Sequence, residues 1–327
     1  MQYRILGKTG YRISTISFGA WAIGGAWGKT NDDESIDALN RAIDCGVNFI
    51  DTADVYGDGK SERLISQVRG ARREKIYVAT KCGRRLEPHT AEGYTAKNIG
   101  EFVERSLRNL ATSYIDLLQL HCPPTAVYHD DTVFDALDSL VASGKVRHYG
   151  VSVETVAEGI TAMLRPGVSA VQVIYNIFRQ KPADELLTVA QHTNVGIIAR
   201  VPLASGLLTG KLSLATQFEP DDHRLFNRHG EAFDKGETFS GVDYDRGLAA
   251  VELLRPHVPE GITMAQFALR WILMNEAVTC AIPGARTVHQ AENNAAAADL
   301  PTLTGAQMEA VLGIYNEYIR SSVHHLW

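Results

Sequence analysis

A short apolar run followed by an amphipathic helical segment recurs along nearly the whole chain, and this alternation restricts the possible folds more than any other feature. The apolar runs fall at 13–19, 47–53, 76–82, 115–121, 146–153, 168–175, 195–202 and 278–284. Helix-type segments lie between them, for example at 34–45, 61–69, 96–110, 132–143, 184–193 and 287–298. Strands that alternate with helices pair in parallel through crossover connections. Runs that are apolar almost throughout suit strands covered on both faces. Eight such units are the number that closes an α/β structure into a (β/α)8, or TIM, barrel. An open doubly wound sheet is the competitor, but it calls for a Gly-rich turn after its first strand, and Gly19-Ala20-Trp21 is not one. The expected organisation is one barrel domain over residues 1–327.

Cap chemistry supports the helix boundaries: Asp33 before 34, Ser61 with Glu62, Thr95 before 96 and Asp131 before 132, with stops at Gly46, Gly70 and Gly144. Three segments stand outside the alternation. Residues 1–12, with the turn Gly7-Lys8-Thr9-Gly10, read as a β-hairpin before the barrel. Residues 213–243 are polar without helical or strand period, a long loop after the seventh strand that a barrel would carry on its catalytic rim. Residues 304–327 read as a C-terminal helix and tail.

Composition closes off several function classes. Hydrophobic residues at 45% and charged residues at 21% describe a chain able to bury a large core, not a disordered one. A net charge of −6 without a basic run argues against a general nucleic-acid or anionic-membrane binder. Four cysteines with no C-x-x-C pair, no apolar leader and no long apolar span point to a cytoplasmic protein. Nothing in the sequence sets an oligomeric state.

Two nucleotide-binding motifs almost match and fail. Gly57-Asp58-Gly59-Lys60-Ser61 ends like a P-loop, but Asp54 occupies the position of its first glycine. The same stretch starts a G-x-G-x-x-G in which Glu62 replaces the last glycine. His324 and His325 form an adjacent pair in a polar tail and read as solvent-exposed rather than metal-binding. No metal site is expected. Cys82 and Cys122 each follow a residue singled out below, so strand alternation turns them toward the helix layer.

Four ionisable residues lie at or just beyond the ends of consecutive expected strands: Asp51, Tyr56 in the loop that follows it, Lys81 and His121. In a barrel these ends share one rim, so the four converge on one pocket. A buried Asp and Lys are costly apart, which favours an Asp51–Lys81 ion pair. Lysine beside Tyr56 favours the phenolate and is expected to pull the phenol down from about 10. Such a tyrosine can protonate a carbonyl oxygen, with His121 hydrogen-bonding the same oxygen.

These residues sit in segments that resemble the aldo-keto reductase family over essentially the whole length: MQYRILGKTGYRISTISFGAW, FIDTADVYGDGKSERLI, SLRNLATSYIDLLQLHCP and IPGARTVHQAENN. The resemblance implies a nicotinamide cofactor held without a Rossmann domain and a catalytic tetrad of Asp51, Tyr56, Lys81 and His121. It implies cofactor contacts at Gly19, Ala20, Trp21 and Asp51, at Ser152 and Gln172 for the carboxamide, and at Arg200. Leu203, Ser205, Gly206 and Lys211 correspond to the pyrophosphate segment, and Gly284, Ala285, Arg286, Gln290 and Asn294 to the adenosine end. Arg286 offers a planar fork for a 2′-phosphate, favouring NADPH (NADP+) over NADH. Trp21, Tyr56 and His121 correspond to substrate-lining positions.

The sequence departs from the family at Val153, where Asn is common after the serine, and at Arg200, where many members stack an aromatic. The expected activity is NADPH-dependent, reversible reduction of an aldehyde or ketone to an alcohol, acting on a polar, sugar-derived carbonyl in preference to a steroid. Two other readings stand beside it: a cofactor-binding, redox-sensing regulatory subunit, and a lyase or aldolase that uses Lys81 as a Schiff base.

Overall fold

The computed structural model describes residues 1–25, 27–28 and 30–327. Ten strands are present among the described residues. β1 (Tyr3–Ile5) and β2 (Arg12–Ser14) form an antiparallel hairpin. Then come β3 (Phe18–Gly19), β4 (Phe49–Asp51), β5 (Tyr77–Cys82), β6 (Ile115–His121), β7 (Val146–Ser152), β8 (Val168–Ile174), β9 (Gly196–Arg200) and β10 (Val278–Ala281). These eight pair in parallel in chain order. Parallel bridges Ile16–Ala281 and Gly19–Gly284 join the first to the last and close the ring, so the expected (β/α)8 barrel is the observed one. The run at 13–19 is shared between the hairpin and the first barrel strand rather than forming one strand. Among the described residues, no helix is long and apolar enough to cross a membrane.

Alternation along the strands builds the site. Phe49, Ala79, Leu117, Ala170, Ile198 and Cys280 fill the barrel interior together with Leu6 and Ile13 of the hairpin. Two residues further along, the same inward face presents Asp51, Lys81, Gln119, Gln172 and Arg200, because side chains on a strand repeat with period two. The outward residues, among them Leu118, Leu120, Val151, Val171 and Ala199, pack with the large outer cluster. A dry apolar plug therefore lies beneath a polar layer at the C-terminal rim. Arg4 fastens the hairpin below by donating to the carbonyls of Asn275 (3.1 Å) and Leu273 (2.8 Å).

Several helix starts differ from expectation. Asn31, not Asp33, caps the helix Asp32–Asp44, accepting from Asp33 N at 2.9 Å and Glu34 N at 3.3 Å. Asp130, not Asp131, caps Asp131–Ala142. Ser61 and Glu62 cap nothing. Ser61 Oγ donates to the Ala20 carbonyl at 3.0 Å, and Glu62 is buried between Thr80 (2.6 Å) and Asn109 (2.8 Å). Gly70 lies inside the helix Lys60–Ala71 rather than stopping it. The failed P-loop glycines have a packing reason: a Cβ on Gly57 would meet the Gly24 carbonyl oxygen at 1.9 Å and one on Gly59 the Asn109 amide at 2.4 Å, both at positive φ.

The segment 213–243 is folded, contrary to its reading as a structureless loop. It holds a short helix His223–Phe226 capped by Asp222 and tight turns at Lys235–Glu237 and Phe239–Gly241. Polar side chains supply its order, which hydrophobic periodicity cannot register. Buried Asn227 accepts from Ala232 N (2.8 Å) and Phe233 N (2.9 Å) and donates to Thr238 Oγ1 (3.2 Å). Ser205 Oγ donates to the Glu237 carbonyl and accepts from Phe239 N, both at 3.0 Å. Trp327 closes the far side, donating to Asp234 at 3.1 Å with Arg179 stacked 3.5 Å above its ring. His324 is likewise held, between Tyr315 OH and Asp184 at 2.8 Å each, rather than solvent-exposed; the tail docks where the sequence shows only polarity. Asn227→Ala should loosen this segment at a cost of about 1–3 kcal/mol for the unsatisfied backbone groups. Limited proteolysis should then cut first within 223–240, and unchanged cleavage would show that other contacts hold it.

Candidate active site

Asp51 and Lys81 end adjacent strands with inward side chains and form a fully buried ion pair. Lys81 Nζ also donates to the Thr52 carbonyl at 2.8 Å and lies 3.5 Å from Tyr56 OH. The second carboxylate oxygen of Asp51 accepts from Gln119 Nε2 at 2.9 Å and Gln172 Nε2 at 2.8 Å. Gln119 was not singled out from the sequence. Its signal was available: it stands two residues before His121 on one strand, a polar residue on the inward face.

Tyr56 reaches the pair from the loop after β4. Its ring stacks on Trp21 at 6.0 Å and meets the edge of His121 at 5.8 Å. Its phenol is pushed up, not down. Burial disfavours the phenolate more than the Lys81 charge favours it, and Asp51 and Glu237 add to the rise. The expectation of a lowered value weighed the lysine and omitted desolvation. For Lys81, burial works to lower the pKa, but Asp51 and Tyr56 outweigh it and the net direction is up, so the ammonium persists. His121 is held well below its usual value by burial and then by Arg84, Lys81 and Arg200, which leaves a neutral imidazole. Its Nδ1 is buried without a hydrogen-bond partner among the described residues.

Cys82 faces the helix layer in the outer cluster, but Cys122 does not. Its φ of +47° breaks the strand alternation just past His121. Its thiol consequently lies 3.5 Å from both Ser152 Oγ and Arg200 Nη2.

Of the other singled-out residues, Gly19 and Ala20 pair the first strand to Asp51 and Pro283, with Ala20 N donating to the Asp51 carbonyl at 2.8 Å. Gln172 is engaged by Asp51, and Ser205 by the rim segment. Leu203, Ser205 and Gly206 form a turn in which Ser205 and Gly206 both have positive φ. Lys211 is exposed beyond it. Arg200 points neither to solvent nor over an open face: it pairs with Glu237 at 3.3 Å and donates to the Val153 carbonyl at 3.0 Å. At the far end, Gly284 and buried Ala285 lead to the helix Val288–Ala296. Arg286 N donates to Gln290 at 2.8 Å, Arg286 Nη1 to the Trp27 carbonyl at 2.9 Å, and Asn294 to the Gly284 carbonyl at 3.1 Å. Arg286 and Arg224 share the wall of a cavity of about 360 Å³ with Trp27 and Phe218.

Asp51, Lys81, Tyr56 and His121 thus converge at the barrel mouth, and a separate cavity beside the start of the helix Val288–Ala296 is lined by Arg286, by the Arg224–Asp222 pair and by Glu219. Arg286, held at 2.9 Å by the Trp27 carbonyl, offers further guanidinium donors suited to a phosphate group there. At the barrel mouth, His121 Nδ1 without a partner among the described residues and the Tyr56 phenol, 3.5 Å from Lys81 Nζ, are the polar groups left for a ligand.

The Aldo/keto reductase family model matches residues 15–316. Aldo-keto reductase YhdN of Bacillus subtilis (strain 168) is 32% identical over 299 residues, covering 89% of this chain and 87% of that protein. A probable voltage-gated potassium channel subunit beta of Arabidopsis thaliana is 32% identical over 326 residues, covering 95% of each. Among solved structures, aldo-keto reductase AKR11C1 from Bacillus halodurans (holo form) superposes with a TM-score of 0.77 at 26% identity, covering 96% of each chain.

Proposed function

The chain belongs to the aldo/keto reductase family, and from that premise we propose that it reduces a polar aldehyde or ketone to the alcohol with NADPH, reversibly. The carrying observation is a protonated, buried tyrosine 3.5 Å from a lysine ammonium and edge-on to a neutral histidine. Nicotinamide, when bound, supplies the hydride that the carbonyl carbon gains. Tyr56 delivers the proton to the carbonyl oxygen. Lys81, fixed by Asp51, meets the phenolate that this leaves, which offsets its burial. Neutral His121 donates a hydrogen bond to the same oxygen and orients it. Gln119 and Gln172 hold the Asp51 carboxylate in register. Ser152, Gln172 and the 203–206 turn line the path for the nicotinamide and pyrophosphate, and Gly284 to Asn294 hold the adenosine end. The test is NADPH oxidation with a panel of aldehydes, sugars, steroids and quinones. Activity confined to the apolar members would refute the polar-carbonyl reading.

The cofactor preference rests on Arg286, whose guanidinium borders the cavity together with Arg224. Arg286→Ala should weaken NADPH by about tenfold or more, the effect of one charge-assisted hydrogen bond, and NADH far less. Equal losses in equilibrium titrations of the two cofactors would remove the phosphate role. A Schiff-base lyase fits less well, since that chemistry needs a neutral amine and Asp51 keeps Lys81 charged. The regulatory reading draws on the similarity to the channel subunit, but the presence of all four tetrad positions favours an enzyme. Four free cysteines suit the reducing cytoplasm.

A further inference from the structure

The barrel mouth beside His121 carries a second charge cluster that carbonyl reduction does not use. Arg84 stands three residues past Lys81, and Arg200 ends β9. Arg84 grips both carboxylate oxygens of Glu237, with Nη1 at 3.3 Å from Oε2. Arg200 Nη1 lies 3.3 Å from Glu237 Oε1. Side-chain exposures of 18% for Arg84, 9% for Arg200 and 5% for Glu237 put the group under the rim turn, largely out of water. Arg200 Nε is buried and has no acceptor among the described residues.

The charges do not balance. Burial works to raise the Glu237 carboxyl, but Arg84 and Arg200 outweigh it and bring it down to about 2, so it supplies one full negative charge. Glu154, 3.7 Å from Arg84, is pushed up to about 7 by burial and by the charges of Asp234 and Glu237. It is therefore only partly ionised at neutral pH. Among the remaining neighbours, Asp234 is opposed by the charge of Arg179 and accepts from Gly236 N (2.8 Å) and Trp327 Nε1 (3.1 Å), burial raises the Cys122 thiol and lowers His121, and Lys81 is matched by Asp51. Cys122, Glu154 and Glu237 come within 4.8 Å of one another, the spacing of a metal site. Two guanidiniums on Glu237, one of them also 3.7 Å from Glu154, leave no place for a cation there. What the cluster lacks is an anion.

We propose that Arg84 and Arg200 form an anion subsite of the substrate pocket, so that the physiological carbonyl compound carries a carboxylate or phosphate. This rests on the reductase reading above. Guanidinium forks in a dry site bind planar oxyanions in pairs of hydrogen bonds. Arg200 Nη2 is 3.5 Å from the thiol of the residue next to His121, so an anion held here leaves the other end of a short molecule at Tyr56 and His121. Glu237 occupies part of the subsite from the protein's own side and competes with the substrate's charge.

The experiment compares each anionic aldehyde with a neutral counterpart: 4-oxobutanoate against its methyl ester, and glycolaldehyde phosphate against glycolaldehyde. The ratio of kcat/KM within a pair cancels general damage to fold or cofactor binding. The wild-type protein should prefer the charged member of one pair by about tenfold or more, as one charge-assisted contact predicts; the pair that shows it identifies carboxylate or phosphate. Arg84→Gln should bring that ratio close to one. Glu237→Gln should raise it above wild type, because an internal competitor is removed; a merely structural ion pair predicts no such gain. Reduction of the neutral members with no preference for either anion would overturn the subsite and leave the reductase reading standing. A Glu237→Gln ratio below wild type would overturn it too. Reduction of neither member of either pair would overturn both.

Discussion

Replacing Tyr56 with phenylalanine should abolish most carbonyl reduction while cofactor binding persists. The variant keeps the ring stacked on Trp21 and edge-on to His121 and removes only the hydroxyl that Lys81 approaches at 3.5 Å. Losing a positioned proton donor costs about 10²–10⁴-fold in rate. The measurement is kcat with several aldehydes alongside cofactor fluorescence titration. Near-normal turnover across the panel would assign the acid elsewhere. Burial holds the phenol above its ordinary value, so the wild-type rate should not fall from tyrosine ionisation anywhere near neutral pH. Deprotonation would remove the donor only well into the alkaline range.

Asp51→Ala should be the most destabilising substitution at the site. Lys81 has no exposure to solvent and its charge is met by this carboxylate. Gln119 and Gln172 would lose their shared acceptor as well. Removing one partner of a buried pair costs about 3–5 kcal/mol, because the other charge is left in a dry interior. A urea unfolding midpoint at unchanged slope measures this directly. Adding Lys81→Met to Asp51→Ala should recover part of the loss. A loss below about 1 kcal/mol for the single variant would mean that water reaches the lysine. In the intact protein the pair raises the Lys81 pKa. Its contribution is therefore complete below the ordinary lysine value and is lost only as pH climbs through the raised one.

That Asp51, Lys81 and His121 share one rim could be read because a strand reports its faces at period two, with Tyr56 placed beside them by the loop after β4. Asp51, Lys81 and His121 stand at the ends of apolar runs, and the same period places the overlooked Gln119 on the inward face two residues before His121. The same rule failed at Cys122, where one residue of positive φ turned the thiol into the pocket. The tyrosine's acidity was misjudged for a different reason: the neighbouring lysine is visible in the sequence and the degree of burial is not.

The chain's local patterning determined the alternation and the parallel pairing of successive strands, because each depends on interactions within a few residues or between consecutive elements, and the count of eight units pointed to the ring that the distant bridges Ile16–Ala281 and Gly19–Gly284 close. Tertiary structure alone decided the electrostatics of the mouth. Arg84 and Glu237 are separated by 153 residues, and neither lies in a periodic segment that could announce the other. Their pairing, the order of 213–243 and the docking of Trp327 come from polar contacts between distant loops. Hydrogen bonds and charges of that kind leave no hydrophobic period, and their strength is set by the exclusion of water, which only the assembled barrel provides.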